Sequence, residues 1–101
     1  MYSQAGQQGL ADAYSNLGNL LKDERQDVDG AEKAYRAAIK AEPGYAKAYY
    51  NLGALLLNKR QDVPRAEKAF RAAIKADPGL VASRNALGRT LRERAIVMEE
   101  R

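Results

Sequence analysis

One stretch of 35 residues, written twice without a gap, constrains this chain more than any other feature. Leu10–Gly44 and Tyr45–Gly79 align residue for residue, with 24 of 35 positions identical. Tyr14, Asn16, Leu17 and Gly18 return as Tyr49, Asn51, Leu52 and Gly53. Arg25-Gln26-Asp27-Val28 returns as Arg60-Gln61-Asp62-Val63, and Pro43-Gly44 as Pro78-Gly79. A period of this length marks one supersecondary unit that cannot bury its apolar face alone and stacks on its neighbours. A third copy opens after Gly79 and then decays. Leu87-Gly88 hold the places of Leu52-Gly53, but Arg84 replaces the tyrosine and Ile96-Val97 replace Gln61-Asp62.

Each full copy divides into two helices. In the first, Tyr14, Leu17, Leu20 and Leu21 recur at helical spacing and form its apolar face. Asp27 and Asp62 are placed to cap the second helix, since a short carboxylate accepts from the free first-turn amides. Pro64 falls in that first turn, where a missing N–H costs little. The second helix carries Ala31, Ala34, Tyr35, Ala38 and Ile39 on one stripe and stops before Pro43-Gly44. The pattern predicts helices over 10–25, 28–41, 45–60, 63–76 and 80–99. Residues 1–9 are Gln/Gly-rich without periodicity and read as a flexible N-terminal tail. Abundant alanine with Lys, Glu and Arg, and only three prolines, agrees with an all-α chain.

The functional classes are narrowed by what the chain lacks. It has no cysteine and no histidine, so thiolate chemistry, the usual zinc ligands and the usual general base are missing. Its remaining titratable groups, such as Glu32-Lys33 and Glu67-Lys68, repeat with the period and read as solvated helix surface. No enzyme activity, metal or cofactor is expected. No apolar run approaches the roughly 18–20 residues that span a bilayer, and no signal segment is legible, so a soluble intracellular protein is expected. The net charge of +4 is mild. Arg60, Arg65, Lys68, Arg71 and Lys75 make a basic stripe, but Asp62, Glu67 and Asp77 dilute it, which disfavours nucleic acid.

These residues resemble the tetratricopeptide repeat, which places an aromatic and then Leu-Gly on the first helix and Ala, a large residue and a closing proline on the second. Here the pattern reads Tyr14, Leu17-Gly18, Leu21, Ala31, Tyr35, Ala38, Pro43. The second copy reads Tyr49, Leu52-Gly53, Leu56, Ala66, Phe70, Ala73, Pro78. The resemblance implies a right-handed superhelix of antiparallel hairpins: repeats at 10–44 and 45–79, with a partial third repeat at 80–101 as a capping helix. It assigns most motif residues to the core, Gly18 and Ala31 lying where the paired helices cross and Tyr14, Leu17 and Tyr35 filling the space around them. The period is 35 rather than the family's usual 34, and the turn between the two helices lacks its usual glycine. Both departures suggest a first helix running on to Glu24-Arg25.

The resemblance also implies a non-catalytic interaction module whose first helices line a concave groove for a peptide or protein segment. The positions matching groove-facing family sites are Asp12, Ser15, Asn19 and Lys22, then Lys47, Tyr50, Ala54 and Leu57, then Asn85, Arg89 and Arg92. They differ between otherwise near-identical copies, where a groove would acquire specificity. Tyr50 and Leu57 are the bulkiest candidates, and Arg89 with Arg92 suits a partner with acidic groups. The family's dicarboxylate clamp is not matched, because Ser15, Ala82 and Ala86 occupy its basic places. A rival role is self-association through the last helix, where Leu87, Leu91, Ile96, Val97 and Met98 find no second helix to cover them, giving a homo-oligomer or scaffold.

Overall fold

The structure, a computed structural model, describes residues 4–99, with side chains from residue 9 onward. Five helices follow one another: α1 (Gln4–Asp23), α2 (Val28–Ala41), α3 (Ala46–Asn58), α4 (Val63–Ala76) and α5 (Val81–Glu99). Four-residue turns connect them, so neighbours run antiparallel as helical hairpins. The helical share and the hairpin repeat are those the sequence predicts. Among the described residues no helix is long and apolar enough to cross a membrane.

The caps form where the spacing places them. Asp27 accepts from the Gly30 amide at 2.9 Å, and Asp62 accepts from the Arg65 amide at 3.2 Å. The first helix of each repeat ends earlier than expected, at Asp23 and Asn58. Gln26 and Gln61 turn the chain with φ of 51° and 54°, and the amide of the following aspartate reaches back to Leu21 or Leu56 at 2.8 Å. Glutamine thus takes the left-handed place that glycine usually fills. The N-terminal expectation also needs correction. Gln4–Gly9 belongs to α1 rather than to a tail, because a helix already nucleated downstream adds a residue at little cost. Residues 1–3 lie outside the described residues.

The larger core cluster runs through the hairpins as Ala31, Tyr35, Leu52, Leu55, Leu56, Ala66, Ala69, Phe70 and Ala86, and a smaller one joins Ala11, Ala38 and Ala48. At the crossings the glycines are required sterically. A Cβ on Gly18 would stand 2.5 Å from Tyr35 Cε1, and one on Gly53 would stand 2.7 Å from Phe70 Cε1. Gly88, the third member of the series, meets nothing within 4 Å. The expectation that Leu17 packs at the crossing fails. Leu17 and Leu20 are about half-exposed, while their counterparts Leu52 and Leu55 are buried. The reason is positional: α2 packs over that face of α3, whereas no described element packs over it on α1.

The last interface differs in kind. Helix α5 turns Ser83, Ala86 and Thr90 inward. Thr90 Oγ1 donates to the Ala86 carbonyl at 2.8 Å, but Ser83 Oγ is buried without a partner. Ser83 and Thr90 hold the places of Ala48 and Leu55, so two hydroxyls replace apolar groups at this contact.

Candidate functional groove

Along one side of the molecule, α1, α3 and the start of α5 enclose a hollow of about 620 Å³. Its walls include Asp12, Ser15 and Asn19 from α1, Lys47, Tyr50 and Asn51 from α3, and Leu80 and Ala82 at the α5 end. Helical spacing explains the arrangement, because Asp12, Ser15 and Asn19 lie three and four residues apart, and Tyr50 and Asn51 lie three and four residues beyond Lys47. The walls are cross-braced. Asn51 Nδ2 donates to Ser15 Oγ at 2.9 Å, and the Tyr45 hydroxyl donates to Asp12. Burial pushes the Tyr45 hydroxyl up to about 12, and the bond to the Asp12 carboxylate adds to the rise.

A second hollow, of about 510 Å³, lies between α3 and α5 and is bordered by Leu57, Gln61, Val63, Arg89, Glu93 and Val97. The groove positions expected from the sequence therefore divide. Asn19, Lys47 and Tyr50 meet at the first hollow, while Leu57 and Arg89 meet at the second. Lys22 lies beside Asp23 at 3.7 Å and lines neither. Asn85 and Arg92 are exposed on α5 outside both. Among the described residues Lys47, Arg89 and Arg92 form no ion pair; Lys47 shares the first hollow with Asp12, and Arg89 shares the second with Glu93.

Two of the wall residues also serve the scaffold. Asn19 Oδ1 accepts from the Tyr35 hydroxyl at 2.5 Å, and burial pushes that hydroxyl up to about 12. In the second repeat the same two places hold Ala54 and Phe70, an apolar pair in exchange for a polar one. This pairing was missed, although the simultaneous change at both positions between copies could have signalled it. Tyr50 packs its ring against Phe70, centroids 5.8 Å apart and planes tilted by 52°, so a core ring supports its position.

The basic stripe on α4 and its approach is largely neutralised. Arg36, Arg60 and Arg65 converge on Glu32 at 3.1, 3.0 and 2.5 Å, and Arg60 also pairs with Asp29. Burial works against the Glu32 carboxylate, yet the guanidiniums of Arg65 and Arg36 hold it below the usual range. Arg71 and Arg94 pair with Glu67 at 3.1 and 2.8 Å. A narrower furrow of about 360 Å³ lies between α2 and α4, floored by Leu52 and Leu56 and flanked by Ile39 and Tyr49. Those four residues recur in the other copy as Leu17, Leu21, Ile74 and Tyr14, whereas the groove walls change from copy to copy.

The residues expected for self-association are spread over several environments. Leu87 packs at the edge of the core and Leu91 is partly buried, while Ile96, Val97 and Met98 stand exposed.

The tetratricopeptide repeat family model matches residues 9–81. The chain belongs to the tetratricopeptide repeat family. Among curated proteins none matches it. Repeats of this family generally mediate protein–protein interaction and are typically non-catalytic. The matched region spans both full repeats and their groove-forming first helices, and it stops at the start of α5.

Proposed function

We propose that this tetratricopeptide array binds a peptide or protein segment carrying acidic groups along the groove of α1, α3 and α5. The observation that carries the reading is a contrast between copies. Asp12, Ser15, Asn19 and Lys22 become Lys47, Tyr50, Ala54 and Leu57 along the groove, while the furrow on the other side keeps every lining residue but Arg65, whose counterpart is Gly30. Tyr50 and Leu57 supply apolar contact, and Lys47 and Arg89 supply charge for a carboxylate or phosphate group. Peptides selected from a displayed random library against the full chain should be enriched in Asp and Glu. Their affinity should fall about tenfold on Tyr50→Ala with Leu57→Ala, at unchanged helicity. Undiminished binding by that double variant would remove the groove from consideration.

Self-association through α5 is the second reading, favoured by the adjacent exposure of Ile96, Val97 and Met98. Ile96→Asp with Met98→Asp should convert a concentration-dependent dimer to a monomer in light scattering. A monomer at all concentrations in the unaltered chain would eliminate it.

A further inference from the structure

The outer face of α1 is apolar, and the second repeat indicates what that face is built to meet. Leu10, Ala13, Leu17 and Leu20 form one stripe at helical spacing. Leu10 is 50% exposed, Leu17 43% and Leu20 51%. Their counterparts one period on are Tyr45, Ala48, Leu52 and Leu55, of which the last three are 0, 4 and 1% exposed. The element that packs over that face of α3 is α2. The same comparison applies to charge. Arg60, at the end of the covered face, pairs with Asp29 in the first turn of α2 and with Glu32 in the next. Its counterpart Arg25 is exposed and, among the described residues, makes no ion pair. Apolar stripe and free arginine thus repeat in α1 the two halves of the α3 surface that α2 fills.

We infer that the outer face of α1 docks an amphipathic helix of a partner protein, one that opens on two acids three residues apart and carries an alanine-rich contact stripe. The acids would pair with Arg25 as Asp29 and Glu32 pair with Arg60, and the stripe would cover Leu17 and Leu20. A second copy of this chain does not supply such a helix. Its α2 is already packed between α1 and α3, and its α4 is packed against α3 and α5. Helix α4 also has Pro64 where α2 has Asp29. This surface is separate from the groove, so the two can be tested apart.

The probe is a peptide of this chain's own residues 24–44, held helical by a side-chain bridge between positions 33 and 37. The counterparts of those positions on α4, Lys68 and Ala72, border the furrow with α2. Titrated into the isotope-labelled full chain, it should shift the backbone amide resonances of residues 13–25 while leaving those around Tyr50 unmoved. Leu20→Asp should weaken binding about tenfold, as expected for losing a half-exposed leucine from a contact. Arg25→Glu should weaken it about two- to fivefold, and a peptide with Asp29→Lys and Glu32→Lys should recover that loss against the Arg25→Glu chain. No shift in α1 with the restrained peptide would overturn the inference, as would shifts confined to α5. If light scattering shows the unaltered chain to be a dimer that Leu17→Asp dissociates, the occupant is a second copy and the inference fails. The groove variant Tyr50→Ala with Leu57→Ala should bind this peptide normally, which keeps the two surfaces distinguishable.

Discussion

Replacing Gly53 and Gly88 by alanine, one at a time, puts the same change at the same repeat position in two different surroundings. Alanine in a helix interior gains about 0.8–1 kcal/mol over glycine wherever its methyl fits. At Gly88 the new Cβ meets nothing within 4 Å, so Gly88→Ala should stabilise by about that amount. At Gly53 it would stand 2.7 Å from Phe70 Cε1 and 2.8 Å from Cδ1, against an ordinary carbon contact of about 3.5–4.0 Å. The ring must give by close to an ångström, yet Phe70 is almost fully buried and braced by Tyr50. Overpacking of this kind costs about 1–3 kcal/mol, which outweighs the propensity gain and makes Gly53→Ala neutral to about 2 kcal/mol destabilising. The propensity contribution cancels in the difference between the two variants, leaving about 1–3 kcal/mol as the closeness of the crossing. Urea unfolding followed by far-ultraviolet circular dichroism, with the denaturant slope checked for constancy, measures that difference. Equal stabilisation by both substitutions would refute the claim that the glycine is there for the ring.

Three further outcomes follow from single sites. Ser83→Ala should raise stability by about 1–3 kcal/mol in the same assay, because it removes a buried hydroxyl that has no partner from a place where the other full repeat boundary carries Ala48. Gln61→Gly should stabilise by about 0.5–1 kcal/mol, since relief of a left-handed side-chain residue exceeds the added freedom of the unfolded chain. Alkaline pH should unfold the protein through Tyr35 and Tyr45. Both hydroxyls are raised to about 12 by burial, so their contribution is complete below the unfolded value near 10 and is lost as pH climbs from about 10 through 12. Melting temperature against pH should fall in that window, and Tyr35→Phe should lessen the fall.

The hairpin repeat was legible because a period of 35 with 24 identities leaves one architecture, and the caps because Asp27 and Asp62 can accept from the amides three residues on. Periodicity identified Leu17 and Leu20 as an apolar face, but it reports the polarity of a face and not whether a neighbour lies against it. Hence Leu17 was assigned to the core, whereas Leu17 and Leu20 are both about half-exposed and only their counterparts Leu52 and Leu55 are buried. The convergence of Arg60 and Arg65 on Glu32 joins residues 28 and 33 apart, a distance over which spacing carries no register. The groove was legible as a set of divergent positions. That Asn19 lends its amide oxygen to Tyr35, and that Leu57 and Arg89 sit in a separate hollow from Tyr50, depends on how the helices lean and needed the structure.

The groove itself is tested most directly by placing a photo-crosslinking amino acid at Tyr50 in one version of the full chain and at Arg36, in the furrow between α2 and α4, in another. Each is then irradiated with an acidic peptide selected against the unaltered protein. Crosslinking from position 50 and none from position 36 is the predicted result. Crosslinking from position 36 with none from position 50 would contradict the assignment and move the binding surface to the other side of the array.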